Sequence, residues 1–173
     1  MKQLIALFVF STMLFAQENN SPQNELSKLT TEQKLDVAVS NSMSYMIMGI
    51  SYAKSLGKTP EEFAEHSADL VIPAYQSLKG KEPFQLMDIM NRVQQTDKNF
   101  VLEINKSSDS SVSGRMSLFG INNIKAARGA GGVTEDDCYM FYNTFVKTLS
   151  AGIGLDYKYS RNGDWIEFEL SKK

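Results

Sequence analysis

Between residues 31 and 56 the apolar positions recur by threes and fours. Leu35, Val39, Met43, Met46, Ile47 and Ile50 form one stripe, and that spacing predicts an amphipathic helix over residues 31–56, stopped by Gly57. No charged residue lies between Asp36 and Lys54. The helix is therefore expected to have neighbours on more than one side and to stand at the centre of the domain. Ser40, Ser44, Ser51 and Ser55 fall within about 60° of one another at 100° per residue, with Met48 and Tyr52 on their flank. Such a face predicts one of two arrangements. With Tyr45 and Tyr52 it lines a polar ligand cavity, or its small side chains let another helix pack closely.

A second helix starts at Thr59, with Pro60 at its first position and Glu62 three residues after the cap, the pattern of a capping box. Its expected buried stripe is Phe63, Ser67, Leu70, Val71, Ala74 and Leu78, bent by Pro73 near Asp69 and closed at Lys79-Gly80. Pro83 opens a third helix, with Leu86, Ile89, Met90 and Val93 buried and the pattern fading by Asp97. The period then switches to two. Phe100, Leu102 and Ile104 share a strand face, residues 107–111 make a polar turn, and a second strand covers residues 112–118. Arg115 in that strand points away from the face of Val112, Met116 and Leu118. Outward it is solvated; inward, beneath a helix, it clamps a carboxylate.

Residues 120–133 read as a loop. Thr134 caps a fourth helix over residues 135–151, where Cys138, Phe141, Tyr142, Phe145 and Leu149 form an aromatic stripe. Gly152 and Gly154 end it. A hairpin closes the chain, with strands at residues 155–161 and 164–170 about Asn162-Gly163. Ile166, Phe168 and Leu170 share one face and Trp165, Glu167 and Glu169 the other. Trp165 covers a cavity mouth or packs on Tyr157 or Tyr159 across the strands.

Three helices, a β-hairpin, a loop, a long helix and a second hairpin predict an α+β domain, its four-stranded antiparallel sheet covered by helices. Gly57-Lys58-Thr59-Pro60-Glu61-Glu62-Phe63 after a long helix, and the closing helix-hairpin of residues 152–168, give the chain its family likeness. Over residues 31–170 it resembles the aminothiazoline-carboxylate hydrolase and 4-vinyl-reductase-like superfamily. That resemblance implies a small organic ligand held between helices and sheet; a minority of the family are hydrolases. The hydrolases carry a Cys-Pro-aromatic segment after the second strand, where this chain has Leu118-Phe119-Gly120. They also tend to carry a Cys in the last strand, where it has Trp165-Ile166-Glu167. No family catalytic residue carries over, so the resemblance implies a non-catalytic relative.

Residues 1–16 have their own texture. Lys2 precedes an apolar run over residues 4–15 that ends at Ala16 before polar Gln17-Glu18. The run is shorter than the roughly 20 residues that cross a bilayer and reads as a cleaved signal peptide. Residues 17–30 are expected to be a flexible polar leader, and residues 31–173 a single domain. Export places the lone Cys138 in an oxidising compartment, where an unpaired thiol is best kept buried.

The chain has 173 residues, 42% of them hydrophobic, with 18 basic against 20 acidic side chains. Its net charge of −2 provides no basic surface for nucleic acid. One Cys and one His are too few for a structural zinc. Glu62, His66 and Asp69 share a helix face, but the cap occupies Glu62. Gly129-Ala130-Gly131-Gly132, near Lys125 and Arg128, suggests an anion cradle, but Glu135, Asp136 and Asp137 already fill the next helix start.

These features point to an exported, non-catalytic domain that binds a small, partly apolar ligand between the first helix, the fourth helix and the sheet. Ser44, Met48, Tyr52, Arg115, Tyr142 and Trp165 are the expected lining, with Arg115 for an anionic group and the aromatics for stacking. No catalytic residue, metal or cofactor is assigned, and no stable membrane insertion is expected after signal cleavage. The alternative is a protein-interaction or envelope-accessory domain with a filled core, in which the same residues are packing.

Overall fold

The computed structural model describes residues 29–127 and 129–173. The expected signal peptide, most of the leader, and Arg128 lie outside the described residues. Helix α1 spans Thr31–Ser55, α2 Pro60–Tyr75 and α3 Pro83–Gln94. Strands β1 (Leu102–Ser107) and β2 (Ser111–Ser117) form the first hairpin. Helix α4 (Ile121–Ala127) and the long α5 (Glu135–Gly152) follow, before β3 (Leu155–Asn162) and β4 (Trp165–Lys172). The four strands make one antiparallel sheet in the order β1-β2-β4-β3. This is the α+β architecture that the element order predicts.

Caps set the helix starts. Thr30, Thr59 and Thr134 each accept a hydrogen bond from the backbone N–H three residues on, and the side-chain oxygens of Gln33, Glu62 and Asp137 each accept one from the cap's own N–H. The core fills the space between the helices and one sheet face. Val112, Met116, Ile166 and Leu170 from the sheet meet Ile50, Leu86, Val146 and Leu149 in one contiguous buried cluster. The opposite sheet face carries Glu103, Arg115, Lys158, Glu167 and Glu169, all exposed.

Several local expectations change. Helix α1 is not central; its Val39, Met43, Ile47 and Ile50 stripe is buried while Leu35, Tyr45 and Tyr52 are exposed. Helix α2 buries Ala64 and Ala68, and Leu70 and Ala74 face outward. The shift has a steric cause, since α2 packs most extensively against α5 and small side chains let the two helices approach. Pro73 sits near the end of α2, so the helix runs on to Tyr75 and passes into a 3₁₀ turn at Gln76–Leu78. In α3, Met87 and Gln94 are buried and Val93 is exposed. The expected loop over residues 120–133 contains α4, which buries Ile121 and Ile124, and a 3₁₀ turn at Ala130–Gly132. In the last hairpin Asn162 pairs with Trp165, which leaves Gly163-Asp164 as the two-residue turn. Gly163 there has φ +61°, the positive angle that a primed turn needs at its first central position.

Candidate functional site

The six residues expected to line a pocket occupy three separate places. Arg115 and Trp165 lie on the outer sheet face, where the Arg115 guanidinium sits 4.5 Å over the indole and its Nε donates to Glu103 Oε2 at 2.7 Å. Arg115 is thus the solvated, outward alternative, held in a surface ion pair and a cation–π contact. Tyr142 reaches the opposite side of the sheet. Its hydroxyl accepts from Gln94 Nε2 at 2.6 Å and lies 3.5 Å from Met116 Sδ, to which it donates. Burial pushes the Tyr142 phenol well above its ordinary value, with the Gln94 hydrogen bond opposing. Next to it, Tyr157 donates to Asn143 Oδ1 at 3.1 Å, and Asn143 Nδ2 donates to the Tyr139 carbonyl at 2.9 Å. These polar groups pin α3, α5 and β3 together inside the core.

Ser44, Met48 and Tyr52 belong to α1, with Met48 and Tyr52 on its outward side. The serine hydroxyls of this helix do not converge on a cavity. Ser51 Oγ donates to the Gly131 carbonyl at 2.8 Å, Ser55 Oγ donates to the Tyr52 carbonyl of its own helix, and Ser40 is exposed. A Cβ at Gly131, whose φ is +63°, would stand 2.8 Å from Ser51 Oγ. The carbonyls of the glycine run thus seat α1.

Lys54 completes that seat. Its Nζ donates to the Gly132 carbonyl at 2.8 Å and to Asp137 Oδ2 at 2.7 Å, and Thr134 N–H donates to the same oxygen at 2.8 Å. Burial raises the Asp137 carboxyl, but hydrogen bonds from Lys54 and from the Thr134 N–H and hydroxyl outweigh it and hold the group below its ordinary value. One end of α1 is thus locked to the start of α5. At the other end Lys98 pairs with Asp36 at 3.3 Å and Glu32 at 3.5 Å.

Between these contacts α1 turns a distinctive face to solvent. Tyr45 is 68% exposed, Tyr52 67%, Leu56 61% and Met48 39%. These residues step by three and four on the side opposite the Val39, Met43, Ile47 and Ile50 stripe. Sequence reasoning noted the lack of charge between Asp36 and Lys54 but assigned it to burial on several sides. The signal that separates the two readings is this second 3-4 repeat, out of phase with the first.

Two surface concavities lie elsewhere. One, of about 120 Å³, runs between α3 and β1, lined by Phe84, Met87, Asp88, Asn91, Leu102 and Ile104. The other, of about 270 Å³, lies over β3 and β4 beside Lys158 and Glu169. Neither touches the six expected residues. Cys138 is buried and its thiol is pushed up to about 12 by burial and the nearby Asp137 and Glu135, which leaves no thiolate nucleophile near neutral pH. Among the described residues no group of three His, Cys, Asp or Glu side chains is placed to hold a metal ion, and no helix is long and apolar enough to cross a membrane.

No family model and no curated protein matches the chain. Two solved structures resemble it at 10% sequence identity and a TM-score of 0.41, both of an H-NOX protein from K. algicida described as Fe(II) unliganded. One is a point mutant, for which the alignment covers 96% of this chain and 87% of that one; for the other the figures are 98% and 88%. A likeness of that order assigns no site here.

Proposed function

We propose that this chain is an exported protein-interaction domain with a filled core, which engages its partner through the outward face of α1. One observation carries the reading. Tyr45, Met48 and Tyr52 on α1, with Leu56 at its C-cap, stand exposed on one side of a stretch that bears no charge between Asp36 and Lys54. Scattered apolar residues on a surface need no explanation, whereas a contiguous apolar stripe marks a contact site. Export is supported by Lys2, the apolar run of residues 4–15 and Ala16; N-terminal sequencing of the protein from its own source is expected to begin at Gln17. The resemblance to the 4-vinyl-reductase-like superfamily enters this proposal on element order alone.

A photo-reactive residue placed at Tyr52, with one at Glu169 on the outer sheet face as control, tests the docking reading in the source cell. A protein adduct from position 52 and none from position 169 is expected. No protein adduct at position 52, or equal adducts at both positions, refutes it.

A small-ligand reading keeps one observation in its favour. Gln94 Nε2 donates to the Tyr142 hydroxyl, while Gln94 Oε1 is buried without a hydrogen-bond partner that a ligand donor would supply. A small molecule that co-purifies with the native chain is the result that reading requires.

A further inference from the structure

We propose that Met48 is an oxidant-sensitive modification site, the first sulfur of the folded chain that a hydroperoxide converts to its sulfoxide, and that the added oxygen closes the α1 face to its partner. The site stands on exposure and sulfur chemistry; the closing rests on the docking reading above.

Oxidation of sulfur follows access, because the thioether must meet the peroxide oxygen directly and a buried one reacts only when the fold opens. Of the nine methionines, Met1 and Met13 fall in the expected signal peptide. Met43, Met87, Met90 and Met116 are buried, and Met46 and Met140 are half-buried. Met48, at 39%, is the one described methionine that stands exposed. Met116 is held back twice, since its Sδ also accepts the Tyr142 hydroxyl. Cys138 is no competitor. It is buried, and its thiol, pushed up to about 12, stays out of the reactive thiolate form.

The reaction needs only the peroxide. A sulfur lone pair attacks the outer oxygen, the O–O bond breaks as the S–O bond forms, and the proton of the transferred oxygen passes to the departing one, which leaves as water or an alcohol. The thioether loses two electrons and the peroxide gains them. Sulfoxide reductases reverse the step with two thiols, which leave as a disulfide with water. The expected export sets this sulfur outside the thiol-reducing cytosol.

The position of Met48 gives the oxygen its effect. Tyr45 lies three residues before it and Tyr52 four after, both exposed, on the uncharged stretch of α1. A sulfoxide puts a polar oxygen in the middle of that apolar stripe, and a partner that covers it must strip the oxygen of water, which lowers affinity by about tenfold. Met48 lies outside the buried core cluster, so the fold is left intact.

Peptide mass mapping of the chain purified from its own source, after limited treatment with hydrogen peroxide, tests the site. Met48 is expected to gain oxygen about tenfold faster than any buried methionine and ahead of Met46 and Met140, with thermal unfolding unchanged while Met48 alone has reacted. Equal uptake across the methionines, or uptake led by any other, overturns the inference. Peroxide treatment of source cells that carry the photo-reactive residue at position 52 tests the closing. The protein adduct is expected to fall about tenfold. In a chain that also carries Met48→Leu the adduct yield, at whatever level, is expected to be the same with and without peroxide. An adduct that survives oxidation of Met48, or an equal loss with Met48→Leu, overturns the closing. No adduct in untreated cells refutes the docking reading and the closing with it, while the peptide map alone decides the oxidation site.

Discussion

Replacing Asp137 by Ala removes the clasp that fixes α1 to the start of α5, and the expected loss follows from its contacts. The carboxylate accepts the Thr134 N–H in the capping box, a bond worth about 1 kcal/mol. It also holds Lys54 Nζ at 2.7 Å, and since the Lys54 side chain is 36% exposed and the carboxylate 10%, that pairing adds about 1 kcal/mol and not the larger figure of a fully buried ion pair. The sum of about 2 kcal/mol corresponds to a fall in Tm of about 6 °C in a domain of this size. The pH dependence separates charge from packing. The folded-state value of Asp137 lies below its ordinary 3.8, so the stabilisation is full above the unfolded value and is lost as pH falls through the folded one. Thermal unfolding of wild type and Asp137→Ala between pH 7 and pH 3 is expected to show a gap that is constant down to about pH 5 and narrows below it. Lys54→Met, which leaves the cap intact, is expected to lose about half as much. A gap that stays constant to pH 3, or a Lys54→Met variant as stable as wild type, refutes the assignment.

Three further outcomes follow from two buried groups and one surface clasp. Tyr142→Phe leaves the buried Gln94 amide without its acceptor and is expected to lower stability by about 1–3 kcal/mol in urea unfolding, whereas adding Gln94→Leu recovers most of the loss. If Tyr142→Phe alone is neutral, the Gln94 contact is not stabilising. Cys138, buried and with its thiol held to about 12, is expected to react with a disulfide reagent only at the rate of unfolding, and rapid modification of the native protein contradicts that burial. Arg161→Ala is expected to loosen the last hairpin by about 1–2 kcal/mol. It removes the 2.6 Å and 2.5 Å pairings to Glu135 and Asp136 together with the guanidinium stacked 3.7 Å over Tyr139, and hydrogen exchange over β3 and β4 reads the effect.

Much of the architecture was legible because its signals are local. Thr59 with Glu62, and Thr134 ahead of an acidic first turn, mark helix starts by chemistry confined to a few residues, and alternating apolar residues mark β2 and β4. The phase of a helix is harder, since it depends on what lies opposite. In α2 the large Leu70 looked buried, but the seam with α5 selects the small Ala64 and Ala68 and turns Leu70 outward at 70% exposure. Helix α4 was missed because its seven residues lie in a glycine-bounded segment too short to show a period. The candidate site failed to assemble for a related reason. The sequence left an outward and an inward alternative for Arg115 and two for the Ser44 face, and only the folded sheet shows that Arg115 and Tyr142 point to opposite sides of it. The uncharged stretch of α1 was visible throughout, but an exposed seam and a doubly buried helix share that composition.

Native mass spectrometry of the chain isolated from its own source tests the central claim most directly. If function resides on the outer face of α1 and the interior is filled, the spectrum shows the bare polypeptide and its protein-bound forms, and Tyr45→Glu/Tyr52→Glu removes the protein-bound forms alone. A stoichiometric small-molecule adduct that persists in that double variant contradicts the account.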